Sequence, residues 1–201
     1  MFLGKWNKSV ILTYIGMSFA ISGIYLAFYD ENILHALSCL IVAGVCDLFD
    51  GMIARRCKRT EEEKKFGIQL DSLVDSISFL ALPITIFFKI GMVRWYHLLI
   101  LICFAVCGIA RLAYFNILSE EGPVKYYRGL PVTYTALIFP FVYLLSFLLD
   151  KNLFLGVNTM AVLTVSLLNI LDIKVVKPKG VAYIFFALLA IVMLVLFLGV
   201  F

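Results

Sequence analysis

The chain has 201 residues, 63% of them hydrophobic, and carries 17 basic and 13 acidic side chains for a net charge of +4. Soluble domains run at about 45–50% apolar and about 25% charged, so a mean hydropathy of +1.03 excludes an ordinary water-soluble domain. Spans of about 20 apolar residues each would use up most of this length, and the longest strongly polar stretch is only 55–65. One integral-membrane domain over 1–201 is therefore expected. Because open sheets leave backbone polar groups unpaired in hydrocarbon, its fold class should be all-α, a polytopic transmembrane helical bundle of about seven spans, within a range of six to eight.

In chain order the spans fall near 10–28, 33–54, 68–90, 95–118, 132–149, 153–171 and 180–200. The first follows Lys5 and Lys8 as a signal peptide would, yet it runs on without a small-x-small cleavage site and reads as a retained helix. Counted at the ends of alternate spans, fourteen Lys and Arg lie on the side of the N-terminus and three, Lys89, Arg94 and Lys151, on the other. The positive-inside rule then places the N-terminus in the cytoplasm of a multi-pass cell-membrane protein. The polar segments 55–65, 119–129 and 172–180 share that side, so chemistry is expected to face the cytoplasm. Five cysteines form no Cys-x-x-Cys pair, and Cys103 and Cys107, on one helix face, read as packing residues. His35 and His97 have no partner histidine at ligand spacing and read as structural. No nucleic-acid partner is expected.

Aspartates inside membrane helices are costly and mark function by default. Four are present. Asp47 and Asp50 lie near the end of the second span, with Gly51, Ala54 and Arg55 continuing their face at helical spacing. Asp71 and Asp75 open the third span, one turn after Gly67. The joining loop is short, so the two helices should be antiparallel neighbours whose carboxylates converge. Crowded carboxylates repel and protonate unless a cation neutralises them, and oxygen-only ligation favours Mg²⁺ or Mn²⁺ over zinc. Four carboxylates are more than one Mg²⁺ usually needs, which suggests a two-metal site or one metal plus a free base, and two metals are a standard clamp for phosphoryl displacement. Glycines that let a bulky ligand reach the backbone, together with Arg55 as a cation, complete the outline of a pyrophosphate site. Two other readings stand beside it. The aspartates would pair with Arg55, Arg56 and Arg111 to hold helices together, or they would line the path of a cation transporter, which leaves the glycines unexplained.

The run Asp47-Leu-Phe-Asp50-Gly51-Met-Ile-Ala54-Arg55, then Gly67-Ile-Gln-Leu-Asp71-Ser-Leu-Val-Asp75, resembles the signature of the CDP-alcohol phosphotransferases. That signature reads Asp-x-x-Asp-Gly-x-x-Ala-Arg, a spacer, then Gly-x-x-x-Asp-x-x-x-Asp. The spacer 56–66 is slightly longer than the common form. The resemblance implies a catalytic domain that transfers a phosphatidyl-type group from a CDP-linked lipid to a small alcohol and releases CMP. It also implies that Asp47 and Asp71 bridge both metals, Asp50 binds the first and Asp75 the second, with Asp75 the general base. Gly51, Ala54, Arg55 and Gly67 would face the CDP-lipid, and the protein would be a homodimer. Small residues such as Gly16 and Ala20 offer one place for close helix contact.

Two further stretches, Arg111-Leu-Ala-Tyr-Phe-Asn116 and Tyr127-Arg128-Gly129-Leu130-Pro131-Val132, resemble those of bacterial and archaeal phosphatidylserine synthases. They imply L-serine as the acceptor. Arg111 and Arg128 could hold the serine carboxylate or the lipid phosphate, and Asn116 could hydrogen-bond either end. A phosphorylated acceptor, glycerol 3-phosphate or inositol 1-phosphate, is the rival within the family, with Lys58 and Lys125 as extra cations.

Overall fold

The computed structural model describes Gly4 and residues 7–120, 126–176 and 180–200. Helix α1 (Ile11–Phe28) is started by a 3-10 turn whose cap, Asn7, accepts from the Ser9 amide at 2.6 Å. Helix α2 (Ile33–Arg56) begins on Asn32, which accepts from the His35 amide. The pair packs through a stripe of small residues on α1: Gly16, Ala20, Gly23 and Ala27 are all buried. A Cβ on Gly23 would stand 2.9 Å from that of Cys39, and one on Gly16 3.2 Å from that of Cys46. Gly16 and Ala20 therefore let α1 approach α2 inside the chain, and they offer no outer face to a second copy.

Helix α3 (Glu61–Ser76) starts seven residues before the expected third span. Thr60 and Glu63 close a reciprocal capping box, and Glu61, Glu62 and Glu63 occupy the first turn, where acids suit the helix dipole. Asp71 and Asp75 thus lie well inside a continuous helix rather than at its start. A π-helical segment, Ile77–Ala81, joins α3 to α4 (Leu82–Lys89). Pro83 has no amide hydrogen to give the Phe79 carbonyl one turn back. The Thr135 hydroxyl stands 3.3 Å from that carbonyl, while its shorter hydrogen bond goes to the Val132 carbonyl at 2.7 Å.

Helix α5 (Trp95–Glu120) is followed by a strand, β1 (Tyr126–Arg128), a short 3-10 turn, and α6 (Thr135–Leu144) with Pro140 inside it. Helix α7 (Lys151–Ile170), capped by Asp150, leads to β2 (Lys174–Val176) and then α8 (Val181–Val195). The aromatic centre of the bundle is Phe139, packed edge-on against Phe87 and Phe104 at centroid distances of 4.8 and 5.7 Å.

Six helical stretches are long and apolar enough to cross a membrane, as a multi-pass membrane protein requires. The remaining one, Val132–Phe147, is shorter and spans roughly 24 Å at 1.5 Å per residue. Strands β1 and β2 pair antiparallel, with Tyr127 opposite Val175 and Arg128 opposite Lys174. The chain between them must leave one membrane face and return to it. With α7 as a spanning helix, Val132–Phe147 would have to cross as well, which would make seven passages beside the six long apolar helices. The two strands depart from a purely helical expectation, although all-α describes the rest.

Candidate functional site

The four aspartates converge. One carboxylate oxygen from each of Asp47, Asp71 and Asp75 lies within 4.8 Å of the other two, and the Asp47 and Asp75 carboxyls are within hydrogen-bonding reach of each other. Asp50 stands beside this trio, its carboxylate accepting from the Thr13 hydroxyl at 2.9 Å. All four line one small cavity between α1, α2 and α3. Asp50 and Asp75 are buried, at 8% and 6% exposure. Helical periodicity accounts for the placement: spacings of three and four residues bring each pair onto one face, and the short turn at 57–60 lays the two faces together.

Among the described residues, the cations around this centre are few. Arg111, on α5, is 7% exposed and close enough to feel the charges of Asp75, Asp47 and Asp71. Its Nε has no hydrogen-bond partner, and its guanidinium stacks over Phe115 at 5.2 Å and Tyr127 at 5.7 Å. Among the described residues, no ion pair joins Arg111 to an aspartate. One stacked guanidinium does not balance four carboxylates in a small, largely buried pocket. A hard divalent cation held by oxygen fits this donor set. Burial, reinforced by the negative charge of Asp47, pushes the Tyr127 phenol up to about 12, so it remains protonated at neutral pH.

The residues expected to face a nucleotide border open space. A Cβ on Gly51 would meet nothing within 4 Å, and one on Gly67 only the Nη1 of Arg59 at 3.6 Å. Ala54 is half-buried on the same helix. The side chain of Arg55 and the whole of Lys125 lie outside the described residues. Both ends of the Asn116 amide are engaged by α3: Ser72 donates to it at 2.6 Å and it donates to Gln69 at 3.3 Å. It braces α5 against α3. Arg128 extends from β1 toward Asp172 at 3.5 Å and the Tyr114 hydroxyl at 3.4 Å.

Sequence reasoning missed Thr13, one of several hydroxyl-bearing residues in its span, which nothing local sets apart from Ser18 and Ser22. It also missed Arg59, whose buried Nε lacks a partner beside the Gly67 face.

A family model described as CDP-alcohol phosphatidyltransferase matches residues 6–200. The chain belongs to that family. The resemblance drawn from the aspartate signature is thereby borne out over nearly the whole sequence. Among curated relatives, a CDP-diacylglycerol–serine O-phosphatidyltransferase of Saccharomyces cerevisiae is 40% identical over 103 residues, covering 47% of this chain and 36% of the relative. An archaetidylserine synthase of Methanothermobacter thermautotrophicus is 32% identical, covering 59% of this chain and 50% of the relative. A CDP-diacylglycerol–serine O-phosphatidyltransferase of Methanocaldococcus jannaschii is 31% identical over 76% of this chain and 69% of the relative. The matches thus span between about a third and two thirds of these family members' own lengths.

Proposed function

We propose that this family member is a CDP-lipid:L-serine O-phosphatidyltransferase that makes phosphatidylserine, or its ether-lipid counterpart, and CMP. The convergence of four aspartates from α2 and α3 carries the reading, and the activities for which the relatives are named support serine over a phosphorylated acceptor. Asp47, Asp50, Asp71 and Asp75 would hold one or two Mg²⁺ or Mn²⁺ ions, which when bound supply positive charge to the pyrophosphate and to the departing CMP. The chain's own groups do the rest. Asp75 takes the proton of the serine hydroxyl, the hydroxyl oxygen bonds to the lipid-linked phosphorus, and the pyrophosphate bond to CMP breaks with its electron pair on the leaving nucleotide. Gly51, Ala54, Arg55 and Gly67 would border the nucleotide, while Arg111 brings fixed positive charge to the reacting phosphate.

An apolar groove supports access from the bilayer: Ile41, Val45, Leu137 and Phe186 line an opening between α2, α6 and α8 that ends at Asp47. Lipid tails would stay there while the head group reaches the carboxylates. The same reading makes residues 1–201 one catalytic unit in the cell membrane, homodimeric, with the site on the cytoplasmic side where the basic residues gather.

The purified full chain, given Mn²⁺ and CDP-diacylglycerol, is expected to release CMP with L-serine, to stop on chelation with EDTA, and to recover with added Mg²⁺ or Mn²⁺. Release with glycerol 3-phosphate or inositol 1-phosphate and none with serine would overturn the acceptor assignment. Metal uptake into liposomes without CMP release would overturn the enzyme reading altogether.

A further inference from the structure

Between α5, β1 and the end of α7 lies a second recess, of about 280 Å³, with Arg111, Tyr114, Arg128, Asn169 and Asp172 on its walls. That lies just below the roughly 300–1,000 Å³ of pockets that take drug-sized ligands. Asn169 is 2% exposed, and neither the oxygen nor the nitrogen of its side-chain amide has a hydrogen-bond partner. A buried amide left without partners is costly and calls for an explanation. The segment after β1 holds it in place. Gly129, at φ +74°, crosses so close to the Asn169 carbonyl that a Cβ would be in hard collision, while the Leu130 amide donates to Leu168 and the Gly129 amide to Ile173.

Around Asn169 the charges are arranged as a complement to a zwitterion. Arg128 and Asp172 stand 3.5 Å apart at the rim, and Arg111 joins the recess to the aspartate centre whose charges it feels. An α-amino acid presents a carboxylate to guanidinium and an ammonium to carboxylate, and its polar groups can use both a free amide N–H and a free amide oxygen.

We propose that this recess is the acceptor amino-acid subsite, with Asn169 and Asp172 as specificity-determining residues for the ammonium end and Arg128 for the carboxylate end. The proposal rests on the serine-transferase reading and names the residues that choose the acceptor. Asp172 lies at the surface, so its replacement leaves the bundle intact, whereas Asn169 is buried.

The test is a pair of variants of the full chain, Asn169→Ala and Asp172→Asn, assayed for CMP release with the KM for serine and for CDP-diacylglycerol measured separately. Each is expected to raise the serine KM about tenfold or more while the CDP-lipid KM stays within about twofold. Asp172→Asn should also erase the preference for serine over 3-hydroxypropionate, which lacks the ammonium group. Unchanged serine KM in Asp172→Asn, or equal rises in both KM values, would overturn the subsite. A wild-type chain inactive with serine would instead sink the reading on which it rests.

Discussion

Two polar regions lie at one end of this bundle, and they are built in opposite ways. The aspartate centre comes from α2 and α3, adjacent in sequence and joined by a short turn. Its aspartates are set by spacings of three and four residues along helices. The recess at Asn169 is assembled from α5, β1 and the end of α7, the last of them tens of residues along the chain from β1 and held to it by a three-residue strand pair. The placement of the aspartates in the first depends chiefly on periodicity. The second depends on long-range pairing that no local pattern encodes. Local geometry makes a site readable, and non-local geometry hides it.

The largest expected effect falls on the aspartate centre. Asp75→Asn preserves shape but removes the proposed base, so turnover should drop roughly 10²–10⁴-fold. Because Asp47, Asp50 and Asp71 are left, CDP-lipid binding should persist in an equilibrium assay. Near-normal turnover in this variant would mean that the proton leaves by another route.

Two glycines separate the regions more finely. Gly51→Ala adds a methyl into open space at a helical position, where alanine is favoured by about 0.5–1 kcal/mol. The melting temperature should hold or rise, while the CDP-lipid KM increases because the methyl occupies ligand space. Gly129→Ala should do the reverse in stability. A left-handed backbone costs a non-glycine residue about 1–2 kcal/mol, and the new methyl would collide with backbone at Asn169. A lower melting temperature in Gly129→Ala but not in Gly51→Ala would confirm that one glycine serves the ligand and the other the strand crossing. Matching losses of stability would erase the distinction.

The extent to which the sequence could be read follows the same division. The helices, their number and the convergence of Asp47, Asp50, Asp71 and Asp75 follow from apolar runs and 3.6-residue periodicity. The early start of α3 was legible too, since Thr60 and Glu63 spell a capping box ahead of the charged first turn. What stayed hidden needed a partner far along the chain. The β1–β2 pairing lies in segments too short and polar for a strand pattern. Asn116 offers the same amide whether it faces a substrate or, as here, Ser72 and Gln69. Asn169 sits in an apolar helix end where nothing local reveals that its amide lacks partners.

Thr13 is the smallest lever and tests whether the aspartate centre is really local. Its hydroxyl reaches Asp50 from α1, 37 positions away in sequence, and gives that buried carboxylate a donor at 2.9 Å. Valine keeps the shape and removes the donor. A hydrogen bond to a charged group contributes about 1.5–3 kcal/mol, so Thr13→Val should lower kcat/KM for CDP-lipid by roughly tenfold or somewhat more. Raising the Mn²⁺ concentration should restore part of that loss if Asp50 helps to hold the cation, because the weakened ligand would then be offset by mass action. If activity falls and extra metal does nothing, Thr13 acts on the lipid side of the pocket. If activity does not fall at all, Asp50 is held by α2 alone, and the centre is as local as its spacing suggests.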